Sequence, residues 1–200
     1  MTGRRAFILV TVFTAVTVAG CGEDRQLVGL TRDPEPEVDV AAVPDVSRDG
    51  EPFRFVAADD GMLVVFFGYT NCPDVCPTTL AQLRRGLDDL EPDDADRIDA
   101  VMVSIDPERD RDVLADYVDS FVPGAHAVAL DDDAVLQEVT LAFGVSYQVT
   151  TRPNGDVDVA HSDTGLFAVD DTGRLVLTWP YGSTSDDIAG DLEQLLADRA

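Results

Sequence analysis

Two cysteines stand four positions apart in the segment Asn71-Cys72-Pro73-Asp74-Val75-Cys76-Pro77. Thiolates are soft ligands that favour Cu(I), and the same groups exchange with disulfides. A dithiol redox motif usually has two residues between its cysteines, whereas three stand here, and the wider spacing suits a metal chelate. A structural zinc site normally needs four protein ligands, and the sequence has no second cysteine pair to complete one. The pair therefore favours copper.

Histidine is the commonest metal ligand, and the sequence offers two candidates for a third ligand. His161 lies near the end of a polar stretch, residues 150–163, that contains a Pro-Asn-Gly turn signal and is predicted to be a loop. The end of such a loop could lie over the cysteines. His126 begins an apolar strand with no cysteine or histidine near it, so packing at a strand edge explains it. We expect Cys72, Cys76 and His161 to bind the metal together.

The elements around the cysteines are a strand and a helix. The continuous apolar run Met62 to Phe67 predicts a central strand that is covered on both faces. Leucines at helical spacing predict a helix over Pro77 to Leu90, with the proline in its first turn. The cysteines would then precede a helix, whose free amide groups and dipole favour thiolate over thiol. We therefore expect both sulfurs to ionise easily.

The rest of the chain alternates between strands and helices. A short strand or hairpin is predicted within residues 44–56, and the later apolar patterns predict strands at 98–105, 126–130, 145–149, 165–169 and 174–179 and helices at 113–121, 135–143 and 188–196. This order predicts an α/β thioredoxin-like sandwich with a central mixed sheet flanked by helices. We expect one such domain, with bounds at residues 46–200.

The N-terminus has the pattern of an export signal. Two arginines precede the uncharged run Ala6 to Ala19, which is too short to span a bilayer but fits a signal peptide over residues 1–20. Small residues then lead to Cys21, as in the cleavage box of bacterial lipoproteins. We expect Cys21 to be lipidated and residues 21–45 to form the lipidated N-terminus and tether. The protein would then be anchored by lipid on the extracytoplasmic face of the cell membrane. The alternative is an ordinary secretory signal with a chance cysteine.

Charge limits the possible partners. The sequence has 39 acidic and 14 basic residues, a formal net charge of -25. A polyanion repels nucleic acid and anionic lipid, so no nucleic-acid partner is expected, and membrane attachment must come from the lipid anchor. Adaptation to salt, or the coding bias of a GC-rich genome, also produces such an acidic surface, and the charge then has no function of its own. A negative field would nevertheless favour the approach of a metal cation or a basic redox partner.

Three blocks resemble the SCO/SenC family in the same order: the run from Gly68 to Leu80, the run from Val103 to Asp110, and His161-Ser162. The resemblance implies a Cu(I)/Cu(II) site of two cysteines and one histidine. It further implies that the protein delivers copper to, or reduces, the dinuclear copper centre of cytochrome c oxidase, with the subunit that carries this centre and a copper donor protein as partners. By the same likeness Asp106 is a candidate neighbour of the metal or an additional oxygen ligand for Cu(II). A turn-opening role before Pro107 explains Asp106 equally well.

Three functions compete for the cysteines. A copper-delivery protein, which is a metallochaperone and not an enzyme, needs His161. An exported thiol-disulfide reductase needs only a reversible disulfide between Cys72 and Cys76. A peroxidase is the weakest of the three, because no resolving cysteine is present beyond the close pair. His161 therefore separates the copper hypothesis from the reductase hypothesis.

Overall fold

A five-stranded mixed sheet forms the centre of the protein in this computed structural model, which describes residues 26–162 and 164–199. The strand order is β5-β4-β3-β8-β9, with β3 parallel to β4 and antiparallel to β8. The predicted signal peptide and Cys21 lie outside the described residues. Within the described residues, no helix combines the length and apolar character needed to cross a membrane.

The strands of the central sheet are β3 (Met62–Gly68), β4 (Ile98–Ser104), β5 (His126–Val128), β8 (Leu166–Asp170) and β9 (Leu175–Trp179). Two hairpins lie outside it and consist of β1 (Val43–Asp45) with β2 (Glu51–Phe53) and of β6 (Tyr147–Thr151) with β7 (Val157–His161). The helices are α1 (Val75–Asp88), α2 (Pro92–Ala95), α3 (Pro107–Asp110), α4 (Leu114–Phe121), α5 (Asp133–Ala142) and α6 (Ser185–Ala197). The predicted hairpin within residues 44–56 is thus present, as β1 and β2.

The central sheet is covered on both faces, as the unbroken apolar run in β3 predicts. Side chains of β3 alternate between two apolar clusters. Met62, Val64 and Phe66 face the cluster that contains residues of α1, α4 and α6. Leu63, Val65 and Phe67 face the cluster that contains residues of α5 and the β1–β2 hairpin. The observed architecture is the predicted α/β sandwich with a mixed sheet flanked by helices.

The stretch that we expected to be a polar loop, residues 150–163, is instead part of a hairpin. β6 and β7 pair in antiparallel register from Tyr147 opposite His161 to Thr151 opposite Val157. The side chains of both strands are exposed or only half-buried, and the polar residues and the turn signal of this stretch led to the prediction of a loop. The Pro153-Asn154-Gly155 turn signal lies in the turn that joins β6 to β7. His161 is therefore the last residue of a strand.

Part of the expected tether, residues 21–45, packs on the domain. Residues 28–38, which we call the strap, run antiparallel along the edge strand β9. Leu30 and Thr178 exchange two backbone hydrogen bonds of 2.8 and 3.0 Å, and the Val38 amide donates to the Gly173 carbonyl over 2.8 Å. An edge strand without such cover presents unpaired backbone groups. The strap satisfies some of those groups and buries Val38.

A buried carboxylate holds the start of the strap. Asp191, in α6, is fully buried, and its Oδ1 accepts from the Val28 amide over 2.9 Å. Its Oδ2 accepts from the Gly29 amide over 2.8 Å and from Trp179 Nε1 over 2.9 Å. Burying a charge is unfavourable unless hydrogen bonds compensate it, and these three donors do so. Asp191 therefore joins the strap, β9 and α6.

We expect Asp191→Asn to lower the free energy of unfolding by about 2 kcal/mol, because the amide group turns a donor towards buried N–H groups. Chemical denaturation of the soluble chain, defined as residues 21–200 carrying Cys21→Ser, would measure the change. Glu193→Gln is the matched control, because it neutralises an exposed carboxylate on the same helix. It should change the stability by less than about 0.5 kcal/mol. Equal effects of the two variants would contradict the assigned role of Asp191.

Candidate metal centre

The two cysteines lie side by side where the chain passes from β3 into α1. The Cys72 amide donates to the Tyr69 carbonyl over 3.2 Å, which closes a turn, and the Cys76 amide donates to Cys72 Sγ over 3.3 Å. Both thiols are free, with Cys72 9% exposed and Cys76 fully buried. Helix α1 starts at Val75, so Cys76 lies inside its first turn and not before it as we expected.

Gly68 allows the close approach of the second thiol to the end of β3. A Cβ atom at this position would lie 3.0 Å from Cys76 Sγ and 2.6 Å from an atom of the Phe66 ring. Any larger residue would therefore displace the thiol or the ring. The glycine contributes to the site through the space that its missing side chain leaves.

Asp110 holds the cysteine loop in place. Its fully buried carboxylate accepts from the Thr70 hydroxyl over 2.6 Å and from the Thr70 amide over 3.2 and 3.1 Å. It also accepts from the Ser104 hydroxyl, at the end of β4, over 2.6 Å. The loop that carries Cys72 is thus bonded to the neighbouring strand through one carboxylate.

No role for Asp110 follows from the sequence, although this residue belongs to the block from Val103 to Asp110 that resembles the SCO/SenC family. The available signal was its spacing, because Asp110 lies one helical turn after Asp106. Nothing in the sequence pattern showed that the second carboxylate is the buried one that reaches the cysteine loop. The fold makes that contact by pairing β3 with β4.

The expectation that both sulfurs ionise easily is wrong for Cys76. Burial raises the pKa of the Cys76 thiol, and its hydrogen bond with Cys72 and the charges of Cys72 and Asp110 act in the same direction. A backbone hydrogen bond at Tyr69 opposes them and is outweighed. Loss of solvation in the core therefore dominates the favourable effect of the helix start. Cys76 is a neutral thiol until a metal or a base removes its proton.

Asp106 lies at the start of α3 and is almost fully buried. Its carboxylate forms an ion pair with Arg109, and its amide donates to the Ser104 hydroxyl over 3.0 Å. Asp106 and Asp110 therefore share Ser104 as a hydrogen-bonding neighbour. This places Asp106 close to the residues that hold the cysteine loop, with its own charge compensated by arginine.

His161 reaches the cysteine loop through Tyr69. The two rings meet edge to face, with centroids 6.3 Å apart and planes at 85°. Burial, the two nearby cysteines and a side-chain hydrogen bond with Cys72 raise the pKa of the Tyr69 hydroxyl. The ring of Tyr69 thus contacts His161, and the two cysteines influence the ionisation of its hydroxyl. Tyr69 lies within the run from Gly68 to Leu80, and its sequence position alone indicates no role.

The predicted ligands are neighbours, but they do not form one assembled site. Among the described residues, no three His, Cys, Asp or Glu side chains lie close enough to hold one metal ion. The donors themselves fit copper, because two free thiols are soft ligands for Cu(I) and an imidazole suits copper in both oxidation states. His161 is carried by a hairpin that is separate from the central sheet. Its position relative to the thiols is therefore set by different contacts from those that hold the cysteine loop.

His126 lies far from this arrangement in the sheet, at the start of the edge strand β5. Its Nδ1 is 2.6 Å from the carboxylate of Asp45, and its ring packs against Phe53 at a centroid distance of 4.8 Å. These contacts dock the β1–β2 hairpin on the edge of the sheet. The structure thus gives His126 the packing role that the sequence analysis expected.

The chain is similar to a known family over most of its folded part. A family model described as SCO1/SenC matches residues 45–197. The human protein SCO1 homolog, which is mitochondrial, is 39% identical over 136 residues, covering 65% of this chain and 44% of the human protein. This chain thus spans less than half of that relative.

Two solved structures are similar as well. The solution structure of apo Sco1 from Thermus thermophilus is 33% identical, with a TM-score of 0.69, over 89% of this chain and 98% of the other. The structure of Bradyrhizobium japonicum ScoI with copper bound is 28% identical, with a TM-score of 0.66, over 78% of this chain and 96% of the other. These likenesses confirm the predicted thioredoxin-like fold.

The complete burial and raised pKa of Cys76 predict that this thiol reacts slowly. At neutral pH we expect Cys76 in the soluble chain to be alkylated at least about tenfold more slowly than Cys72, because each unit of pKa changes the thiolate fraction tenfold. Since the Cys76 pKa is raised, its rate should climb as the solution becomes alkaline. Mass mapping of partly alkylated protein would measure both rates. Unfolding in denaturant should make them similar, and equal rates in the native protein would contradict the prediction.

Proposed function

The chain belongs to the SCO1/SenC family, and on this premise we propose that it binds one copper ion and delivers it to the dinuclear copper centre of cytochrome c oxidase. The proposed ligands are Cys72, Cys76 and His161. The observation that carries the proposal is the pair of free thiols held side by side in one loop, with His161 packed against Tyr69 of that loop. Copper is cargo in this function, received from a donor protein and passed on.

Each residue has a separate task. Cys72 and Cys76 supply soft donors for Cu(I), and Cys76 must release its proton to do so. Asp110 keeps the loop in position through Thr70 and Ser104. The β6–β7 hairpin must bring His161 nearer to the thiols. A two-stranded hairpin that is not part of a larger sheet is only marginally stable by itself, which makes such a shift feasible.

We further propose that Cys21 carries a lipid that anchors the protein on the extracytoplasmic face of the cell membrane. Six residues separate Cys21 from Val28, whose amide is held by Asp191. Seven extended steps of the chain span about 25 Å. The domain would therefore stay close to the bilayer, where a membrane-bound oxidase presents its copper subunit. The net charge of -25 would favour a basic surface on the recipient.

A pair of histidine variants tests the ligand set. We expect His161→Ala to weaken copper binding by more than about 100-fold, since even residues that only orient a metal ligand cost 10- to 100-fold in affinity when removed. His126→Asn is the matched control and should bind copper like the wild type, because His126 is engaged by Asp45 on the far edge of the sheet. Titration of both soluble chains with Cu(I) under reducing conditions, followed by metal analysis, would measure the affinities.

The same experiment separates the second candidate function, a thiol-disulfide reductase acting on exported thiols. The closeness of the two sulfur-bearing residues in one turn favours this candidate, because a reversible disulfide needs only Cys72 and Cys76. If His161→Ala keeps wild-type stoichiometry and affinity while Cys72→Ser and Cys76→Ser lose both, the three-ligand site is wrong. Thiol exchange would then be the leading function.

Replacement of Cys21 by serine tests the anchor. We expect the full-length Cys21→Ser protein to take up no lipid label and to leave the membrane fraction, because the residue that accepts the acyl chains is gone. Metabolic labelling with a fatty-acid analogue, followed by fractionation of cells, would show both effects. Cys72→Ser, tested in parallel, should be labelled and retained like the wild type. Equal labelling of wild type and Cys21→Ser would refute the lipoprotein proposal.

A further inference from the structure

The start of the strap presents apolar side chains to solvent at one edge of the sheet. Val28 and Leu30 are 52% and 60% exposed. Leu27 packs instead on an apolar cluster of the domain, and Gly29 lies directly against the Leu177 side chain. This alternation leaves two aliphatic side chains next to each other on the outer surface. Exposed apolar groups that stand together mark surfaces that contact a partner or a membrane.

The charge of this segment differs from that of the rest of the chain. From Arg25 to Arg32 the sequence carries two arginines and no carboxylate, in a chain with 39 acidic residues. Arg32 is exposed, two residues after Leu30. Salt screens charges that are more than about 10 Å apart, so the carboxylates elsewhere on the domain contribute little at this surface. An apolar and basic segment fits the interface of a bilayer that contains anionic lipid.

The proposed lipid anchor is close to these side chains. Six residues separate Cys21 from Val28, and the start of the strap is fixed to the domain because Asp191 accepts from the amides of Val28 and Gly29. A bilayer that holds Cys21 is therefore within about 25 Å of Val28. Docking at that range is an intramolecular step. A weak apolar contact is then sufficient, because the anchor keeps the effective concentration of the bilayer high.

The start of the strap also lies at the end of the sheet that carries the cysteine loop. Phe66, near the end of β3, pairs with Leu166, which pairs in turn with Trp179 at the end of β9. Trp179 Nε1 and the Gly29 amide donate to the same oxygen of Asp191. Neighbouring strands are about 4.8 Å apart, so three strand spacings, or about 15 Å, separate β3 from the strap. The cysteine loop follows β3 directly at this end.

We propose that Val28, Leu30 and Arg32 rest on the bilayer beside the lipid anchor and orient the domain with its cysteine loop near the membrane surface. The inference rests on the proposed anchor at Cys21. The two aliphatic side chains enter the interface, and the guanidinium group of Arg32 contacts lipid phosphate. The anchor sets the distance of the domain from the bilayer, and this docking surface sets its orientation. Copper is thereby held close to the membrane in which the recipient oxidase is embedded.

Two tryptophan variants test the orientation. Leu30→Trp places a reporter in the docking surface, and Leu141→Trp places one at a similarly exposed leucine, 65% exposed, on α5. Helix α5 packs on the apolar cluster of the sheet face opposite to that of Leu27. The lipidated full-length proteins are bound to vesicles of equal parts phosphatidylglycerol and phosphatidylcholine that contain a lipid spin-labelled near its headgroup. The signal of the wild type, from Trp179, is subtracted. Leu30→Trp should be quenched at least about threefold more strongly than Leu141→Trp, because apolar side chains of a docked segment lie about 5–10 Å into the headgroup boundary.

A charge reversal tests the contact with lipid phosphate. In the Leu30→Trp protein, Arg32→Glu should lower the ratio of docked to undocked protein at least about fivefold on these vesicles, since one basic residue near an anionic surface contributes about that factor. Arg54→Glu is the matched control and should leave the quenching unchanged. Arg54 is exposed and follows Phe53, which packs on His126 at β5, the opposite edge of the sheet.

An artificial tether separates this inference from the proposed anchor. Residues 21–200 with Cys72→Ser and Cys76→Ser keep one thiol, which couples Cys21 to a maleimide lipid in the same vesicles. If cells do not lipidate Cys21 but the tethered chain shows the quenching difference, the docking surface stands and the anchor proposal fails. If Leu30→Trp and Leu141→Trp are quenched equally, or Arg32→Glu matches Arg54→Glu, the docking surface is refuted. Self-association of the soluble chain that Leu30→Gln abolishes, without quenching on vesicles, would assign the surface to a second copy and refute the proposal as well.

Discussion

The candidate site depends on one buried carboxylate. Asp110 accepts hydrogen bonds from Thr70, in the loop after β3, and from Ser104, at the end of β4. Those two points lie at the carboxyl ends of neighbouring parallel strands, so their approach follows from the β3–β4 pairing. A charged group is stable at this depth only while its donors remain in place. The cysteine loop and the sheet are consequently coupled. If Thr70 moved away, the buried carboxylate of Asp110 would lose the hydrogen bonds that Thr70 donates.

The same depth decides the chemistry of the thiols. The start of a helix favours a thiolate through its amide groups and dipole, but burial of Cys76 favours the neutral thiol, and burial dominates. A metal that binds at this sulfur must therefore displace a proton, and copper binding must become stronger as pH rises. A neutral, buried Cys76 is also less reactive than an exposed thiolate, which protects it from oxidation.

Sequence patterns predicted the elements that bury apolar surface and missed those that do not. The unbroken apolar run along β3 identified a central strand, since its side chains face apolar clusters on both sides of the sheet. β6 was predicted only in part, by the strand over 145–149, and the short alternation of β7 was outweighed by the turn signal and the polar residues around it. The strap could not be predicted, because its prolines and carboxylates are typical of a loose tether. Its pairing with β9 uses backbone amide and carbonyl groups, which leave no pattern of side chains in the sequence. Asp110 was missed for a related reason, as its role arises from contacts distant in sequence.

The predicted ligands are divided between two parts of the fold that are stabilised in different ways. Cys72 and Cys76 are held by a covered strand, a helix and the bonds of Asp110, and their loop cannot move without disturbing the core. His161 is the last residue of a hairpin that buries little surface. Its ring meets the ring of Tyr69 edge to face. Small displacements of the hairpin therefore cost little free energy, whereas displacements of the thiols cost much. In a protein that must both hold and release copper, this division would let the histidine move while the two sulfurs remain fixed.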